Sequence, residues 1–213
     1  MSKLDRKDFL VYAITDEKFR SDEEWEFVLK PVFEAGIRIL QFRSKSLYGD
    51  DFIESGRTIS KICHKYGALL IVNDDANFCK LIEADGVHLG QSDMPIETAR
   101  RMLGDEYIIG ATAHNLDEAK KAQTSGADYI GAGAAFGSKS KLDAKPIEIA
   151  EYRNITGNIS IPVVAIGGIS LDNMSALADT GIDGVAVISA LFDAEDISDA
   201  AIRLVAKSRE LFE

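Results

Sequence analysis

The sequence predicts a single-domain (βα)8 barrel spanning residues 1–213. Three observations carry this expectation. Short apolar runs rich in β-branched residues alternate strictly with amphipathic helical stretches, eight times over. The strands read as nearly continuous apolar runs, which suits a parallel sheet covered on both faces. Polar residues gather just after the strands, at the end where barrels of this kind place their chemistry.

Taken in order, Leu10–Ile14 predicts the first strand, and 22–35 a helix with Ser21 as N-cap and Gly36 at its close. Ile37–Phe42 predicts a strand, followed by a helix over 51–66 that Gly67 stops. A strand over 69–72 leads to a short helix over 78–83, and a strand over 86–89 to a helix over 95–103 with Pro at its first turn. Strands follow at 107–112, 129–132, 162–166 and 184–188. Their helices are expected at 116–124, 146–154, 171–179 and 197–211. No Pro/Ser-rich linker divides the chain, and eightfold alternation favours closure over an open doubly wound sheet.

Composition narrows the function classes. Apolar residues make up 46% of the 213, enough for a full core. The net charge of −11, with no basic stripe, disfavours nucleic acid and anionic membranes as partners. No apolar run approaches the roughly 18–20 residues of a membrane span. The charged N-terminus lacks the apolar stretch of a signal peptide, so a cytoplasmic protein is expected. The two cysteines, Cys63 and Cys79, read as reduced structural thiols, and the three scattered histidines make a protein-only zinc site improbable.

The strand ends carry the candidate chemistry. Ile166-Gly167-Gly168-Ile169-Ser170 and Ile188-Ser189 follow the seventh and eighth strands, where barrels often build a phosphate cradle from bare backbone N–H groups. A plain tight turn is the alternative. Asp74 and Asp93, after neighbouring strands, have the chemistry to share a hard cation such as Mg²⁺, or to cap loops. Arg43, Lys45 and Lys141 are cations from separate loops, suited to phosphate oxygens or to solvent. The stretch from Gly133 to Lys145, with Ser138, Lys139, Ser140 and Lys141, is long for a βα loop and reads as a lid. His88 reads as a hydrogen-bonded strand-end residue, and His114 as an acid/base group or a cap. Cys63 and His64 are helix neighbours that do not face each other, so they make a poor dyad.

Together these motifs resemble the thiamine phosphate synthase family. The resemblance runs from Tyr12-Ala13-Ile14-Thr15-Asp16 to Ile188-Ser189. It is carried by Gln41–Lys45, by Val72-Asn73-Asp74-Asp75, by the segment from Ala84 to Asp93, by Gly126–Gly131 and by Ile166–Ile169. It implies condensation of 4-amino-2-methyl-5-hydroxymethylpyrimidine pyrophosphate with a thiazole phosphate, giving thiamine phosphate and pyrophosphate through a pyrimidine methyl cation. It also implies Mg²⁺ on Asp74 and Asp93, with Arg43, Lys45 and Lys141 neutralising the leaving group. Gln41, Phe42, Ser44 and Asn73 would complete the pyrimidine and pyrophosphate site. Thr112 would hydrogen-bond a leaving oxygen. Gly168, Ile188 and Ser189 would hold the thiazole phosphate, with Ser138 and Ser140 closing over it and Lys139 either binding beside them or serving as solubilising charge. The chain departs from the family's pattern in Gly133-Ala134 for Gly-Pro, in Ser138-Lys139-Ser140-Lys141 for Thr-x-Thr-Lys, and in Thr112 for Ser.

The expected partners are these small molecules, with a homo-oligomer left open. Three rivals share the fold class. A thiazole tautomerase would need neither metal nor pyrophosphate site and would turn to His114. A sugar-phosphate epimerase or isomerase would want a carboxylate or imidazole pair astride a carbon. A non-catalytic binder of a phosphate ligand would turn over nothing.

Overall fold

The computed structural model describes residues 4–16, 21–137 and 146–213. Eight parallel strands close into a barrel in sequence order, with β8 paired back onto β1. The strands are β1 (Val11–Ile14), β2 (Ile39–Phe42), β3 (Leu69–Asn73), β4 (Gly86–Leu89), β5 (Ile108–Ala113), β6 (Tyr129–Gly133), β7 (Val163–Ile166) and β8 (Gly184–Val187). The helices are α1 (Asp22–Glu34), α2 (Gly49–Lys65), α3 (Phe78–Leu81), α4 (Ile96–Leu103), α5 (Leu116–Thr124), α6 (Ile149–Thr156), α7 (Ser189–Phe192) and α8 (Ile197–Phe212).

Strand alternation divides the core in two. Tyr12, Ile14, Ile39, Ile71, Ile108, Tyr129, Val164 and Ala186 fill the barrel interior. Their neighbours in sequence, such as Val11, Leu40, Val72 and Ile109, pack outward against Trp25, Leu29, Ile59, Tyr152 and Leu204 of the helical ring. Ser21 caps α1 as expected, with its Oγ accepting from Glu24 N–H at 3.3 Å and its own N–H donating to the Glu24 carboxylate at 2.7 Å. Before β1, a 3-10 turn over Arg6–Phe9 closes the amino end of the barrel, and Phe9 packs at a tilt on Tyr129 with ring centroids 5.1 Å apart.

Two glycines make room for large interior side chains. A Cβ on Gly110 would lie 2.1 Å from the Tyr129 ring, and one on Gly131 would lie 3.0 Å from His88 Cε1. Bulk from β4 and β6 thus fills space that β5 and β6 leave empty.

One predicted element is corrected. The stretch 171–179 does not form an α-helix but a 3-10 turn over Met174–Leu177. Asn173 accounts for the change, because its Oδ1 accepts from Ser170 N–H and its Nδ2 donates to the Gly168 carbonyl, both at 2.8 Å. Those bonds satisfy the loop with side chains where a helix would use its backbone. The segment then ends at Asp179, whose φ of 57° is left-handed.

Candidate active site

The carboxyl ends of the strands form one rim, and hydrogen bonds tie the rim together. Thr15, just past β1, is fully buried and bonds both backbone polar groups of Arg43, just past β2. Asp74 N–H donates to the His88 carbonyl at 2.8 Å, which joins the ends of β3 and β4. Gln91 Nε2 donates to the Thr112 carbonyl at 2.5 Å, which joins the loop after β4 to β5. On the far side, Ala135 N–H bonds the Ile166 carbonyl at 2.8 Å and Phe136 N–H bonds the Gly167 carbonyl at 2.9 Å. Ile147 N–H returns to the Ala134 carbonyl at 2.8 Å. Described residues on either side of 138–145 are therefore held at Ile166, Gly167 and Ala134. Ser138, Lys139, Ser140 and Lys141 themselves lie outside the described residues.

The predicted site residues divide by the direction of their side chains. Gln41 and Thr112 point into the upper barrel, Gln41 only 3% exposed and Thr112 half-buried. Gln41 Nε2 donates to Tyr12 OH at 3.0 Å, and Thr112 Oγ1 lies 3.0 Å from His88 Nε2. Arg43, Ser44 and Asn73 are half-buried at the rim, and Lys45 is exposed. Ser44 Oγ accepts from Leu47 N–H at 3.0 Å and Ser46 N–H at 3.2 Å, so it shapes the loop before α2.

The Phe42 side chain turns away from the mouth. Strand alternation turns its side chain outward, where it is 1% exposed and stacks on Phe52 at 4.6 Å. It packs α2 against the barrel and offers the mouth only its backbone.

Asp74 is exposed at the end of β3 in a left-handed conformation, φ 67°. Such a φ is uncommon outside glycine and occurs more readily for Asp. Asp93 is half-buried four residues beyond β4, and its Oδ2 accepts from Gly90 N–H at 2.6 Å. Among the described residues no three His, Cys, Asp or Glu side chains gather into a metal-binding group. The residues present fit a cation that takes one or two protein carboxylates and draws its other ligands from phosphate and water, as Mg²⁺ does.

Gly168, with φ 64°, and Ser189, at the start of α7, lie on the opposite side of the rim. A Cβ on Gly168 would lie 2.5 Å from the Gly137 carbonyl oxygen, so the close approach of the two loops requires glycine there. Among the described residues neither Gly168 N–H nor Ser189 N–H donates a hydrogen bond. Ile188 completes this side, half-buried above the interior cluster.

The other titratable groups have structural positions. His114 is a loop residue whose N–H and Nδ1 both lie 2.8 Å from Glu118 Oε2. Burial raises the Glu118 pKa, but these bonds and Asn115 outweigh it and hold the carboxyl below its usual range. His64 pairs with Asp85 at 3.1 Å on the outer surface. Cys63 and Cys79 are buried free thiols, and burial pushes Cys79 up to about 12.

Sequence reasoning gave no role to Tyr12, Thr15 or Tyr129. The signal was a polar side chain at an inward position of an otherwise apolar strand, which the alternation of β1 and β6 already specifies.

Comparison with known proteins matches residues 11–191 to the family described as thiamine monophosphate synthase. A thiamine-phosphate synthase of Fusobacterium nucleatum is 42% identical over 197 residues, covering 92% of this chain and 96% of that protein. One from Clostridium acetobutylicum is 39% identical, covering 91% and 92%. Among solved structures, the thiamine phosphate pyrophosphorylase from Pyrococcus furiosus superposes with a TM-score of 0.87 at 38% identity, covering 98% of this chain and 99% of that one.

Proposed function

The chain belongs to the thiamine monophosphate synthase family, and from that membership we propose how its own residues carry out the transferase reaction. Thiamine-phosphate synthase is its activity. The proposal concerns the division of labour at the rim.

The pyrimidine pyrophosphate lies between β2 and β5, its ring beside Gln41 and Asn73 and its leaving oxygen beside Thr112. The observation that carries this reading is the inward pair of Gln41 and Thr112, polar side chains rising from an apolar interior toward one mouth. Breaking the carbon–oxygen bond leaves charge on pyrophosphate. Arg43 and Lys45 at the rim, with Lys141 from the undescribed segment, supply the cations that neutralise that charge, and cations act most strongly where water is excluded. Asp74 and Asp93 would hold Mg²⁺, which when bound neutralises part of the pyrophosphate charge. The thiazole phosphate rests on the N–H groups of Gly168 and Ser189 beside Ile188. This seats its ring nitrogen to attack the exposed methyl carbon. Ser138, Lys139 and Ser140, outside the described residues, have the hydroxyl and cationic groups to bind that phosphate.

Among the described residues no helix is long and apolar enough to cross a membrane. With small soluble substrates, we assign the protein to the cytoplasm. Purified protein given both substrates should form thiamine phosphate with Mg²⁺ and lose that activity in EDTA. Full activity in EDTA would overturn the metal assignment, and no product with both substrates bound would overturn the proposed chemistry.

A further inference from the structure

Five side chains from five strands form one hydrogen-bonded chain that begins and ends at the mouth. Gln41 Nε2 donates to Tyr12 OH at 3.0 Å, and Tyr12 OH lies 2.8 Å from Tyr129 OH. Tyr129 OH lies 3.0 Å from His88 Nδ1, and His88 Nε2 lies 3.0 Å from Thr112 Oγ1. The middle of the chain is sealed, with both tyrosines 1% exposed and His88 8% exposed.

Donor counting gives the chain a direction. A phenol has one proton to donate. Tyr12 oxygen already accepts from Gln41, so its own proton goes to Tyr129. Tyr129 in turn donates to His88 Nδ1. An accepting Nδ1 makes the imidazole neutral with its proton on Nε2, and that N–H donates to Thr112 Oγ1. The Thr112 hydroxyl proton is then left for a group in the mouth. Burial raises both phenol pKa values far above the usual, which keeps the two protons in place. Mixed orders leave a buried donor or acceptor unpaired, which is costly. With a neutral imidazole, one other order satisfies every link. Turning the Gln41 amide so that its carbonyl faces Tyr12 reverses all four bonds, moves the His88 proton to Nδ1, and makes Thr112 donate inward.

We propose that this chain couples the two ends of the substrate site, so that the ligand group held by Gln41 decides whether Thr112 is a donor. The functional part rests on the reading above. An aminopyrimidine offers a donor amino group, which holds the Gln41 carbonyl outward, and the chain then presents Thr112 as a donor to the departing oxygen. His88 and Tyr129 are positioning residues that act through Gln41 and Thr112.

The test is the His88 tautomer, read by ring ¹⁵N–¹H correlation on ligand-free full-length protein at about pH 8, where a free carboxylate is ionised. Wild type should carry the proton on Nε2. Gln41→Glu, whose carboxylate only accepts, should move it to Nδ1. With Tyr129→Phe added, His88 should no longer respond to residue 41. A wild-type Nδ1–H form or imidazolium, or an unmoved tautomer in Gln41→Glu, overturns the coupling. Because no substrate is present, this readout stands apart from the synthase reading. Should Gln41→Glu fail to fold, wild-type and Tyr129→Phe protein still decide. Tyr129→Phe should lower kcat about tenfold or more, as loss of an orienting partner does, with KM for thiazole phosphate unchanged. An unchanged kcat overturns the positioning role.

Discussion

Thr15 and Arg43 exchange two hydrogen bonds: Thr15 Oγ1 donates to the Arg43 carbonyl at 2.8 Å and accepts from Arg43 N–H at 2.9 Å. The pair fixes where the backbone of β2 releases the Arg43 side chain. Thr15→Val keeps the shape and removes both bonds, leaving buried polar groups unpaired at a cost of about 1–3 kcal/mol. Chemical denaturation should show that loss. Steady-state kinetics should show a lower kcat/KM for the pyrimidine pyrophosphate, and normal values of both would mean that Arg43 is positioned by other contacts.

Asp93 accepts from Gly90 N–H, and one substitution separates that bond from the proposed metal role of its charge. Asp93→Asn retains an oxygen for Gly90 N–H but loses the charge. Stability should stay within about 1 kcal/mol, the scale of one ordinary hydrogen bond. Turnover with Mg²⁺ should fall by roughly 10²-fold, the scale of lost electrostatic stabilisation at a leaving group. Lys141→Ala should lower turnover to a similar degree. Near-normal rates in both variants would remove the metal and pyrophosphate assignment.

The interior glycines predict graded damage. Gly110→Ala drives a methyl into the Tyr129 ring, at 2.1 Å before relaxation. It should cost about 1–3 kcal/mol or more, as overpacking does. Gly131→Ala meets His88 Cε1 at 3.0 Å, a milder contact. It should cost less stability yet disturb the bond from His88 to Thr112. Equal losses in the two variants, measured by urea midpoint, would contradict this ordering.

Much of this architecture is legible in sequence because it is local. The strands follow from short apolar runs, α5 from its periodicity, and the cap of α1 from Ser21 and Glu24. The rim residues follow from strand ends, since each candidate sits within a few positions of one. The Tyr12–Tyr129–His88 connection is not local. Residues 117 positions apart meet only because β1 and β6 face each other across a closed barrel. The outward turn of Phe42 follows from its alternation with Gln41 along β2. The 3-10 turn over Met174–Leu177 was hidden because Asn173 acts through its side chain.

Alkaline stability follows from the buried thiols and phenols. Burial raises Cys79 from 9.0 to about 12, so the folded state holds this proton after the unfolded chain has released it. The sign is therefore fixed: the contribution is fully present below pH 9.0 and is lost as pH rises through about 12. Urea midpoints should decline across that window, and Cys79→Ala should make the decline shallower. A slope unaffected by this change would assign the alkaline loss to Cys63 and the buried tyrosines, which burial also raises.

The plug of Phe9 beneath Tyr129 has a consequence for traffic. A barrel closed at its amino end is a blind well with a single doorway. Nothing reaches the buried Gln41 from below, because Phe9 and Tyr129 fill that end of the interior, and any exchange at Gln41 passes through the carboxyl mouth.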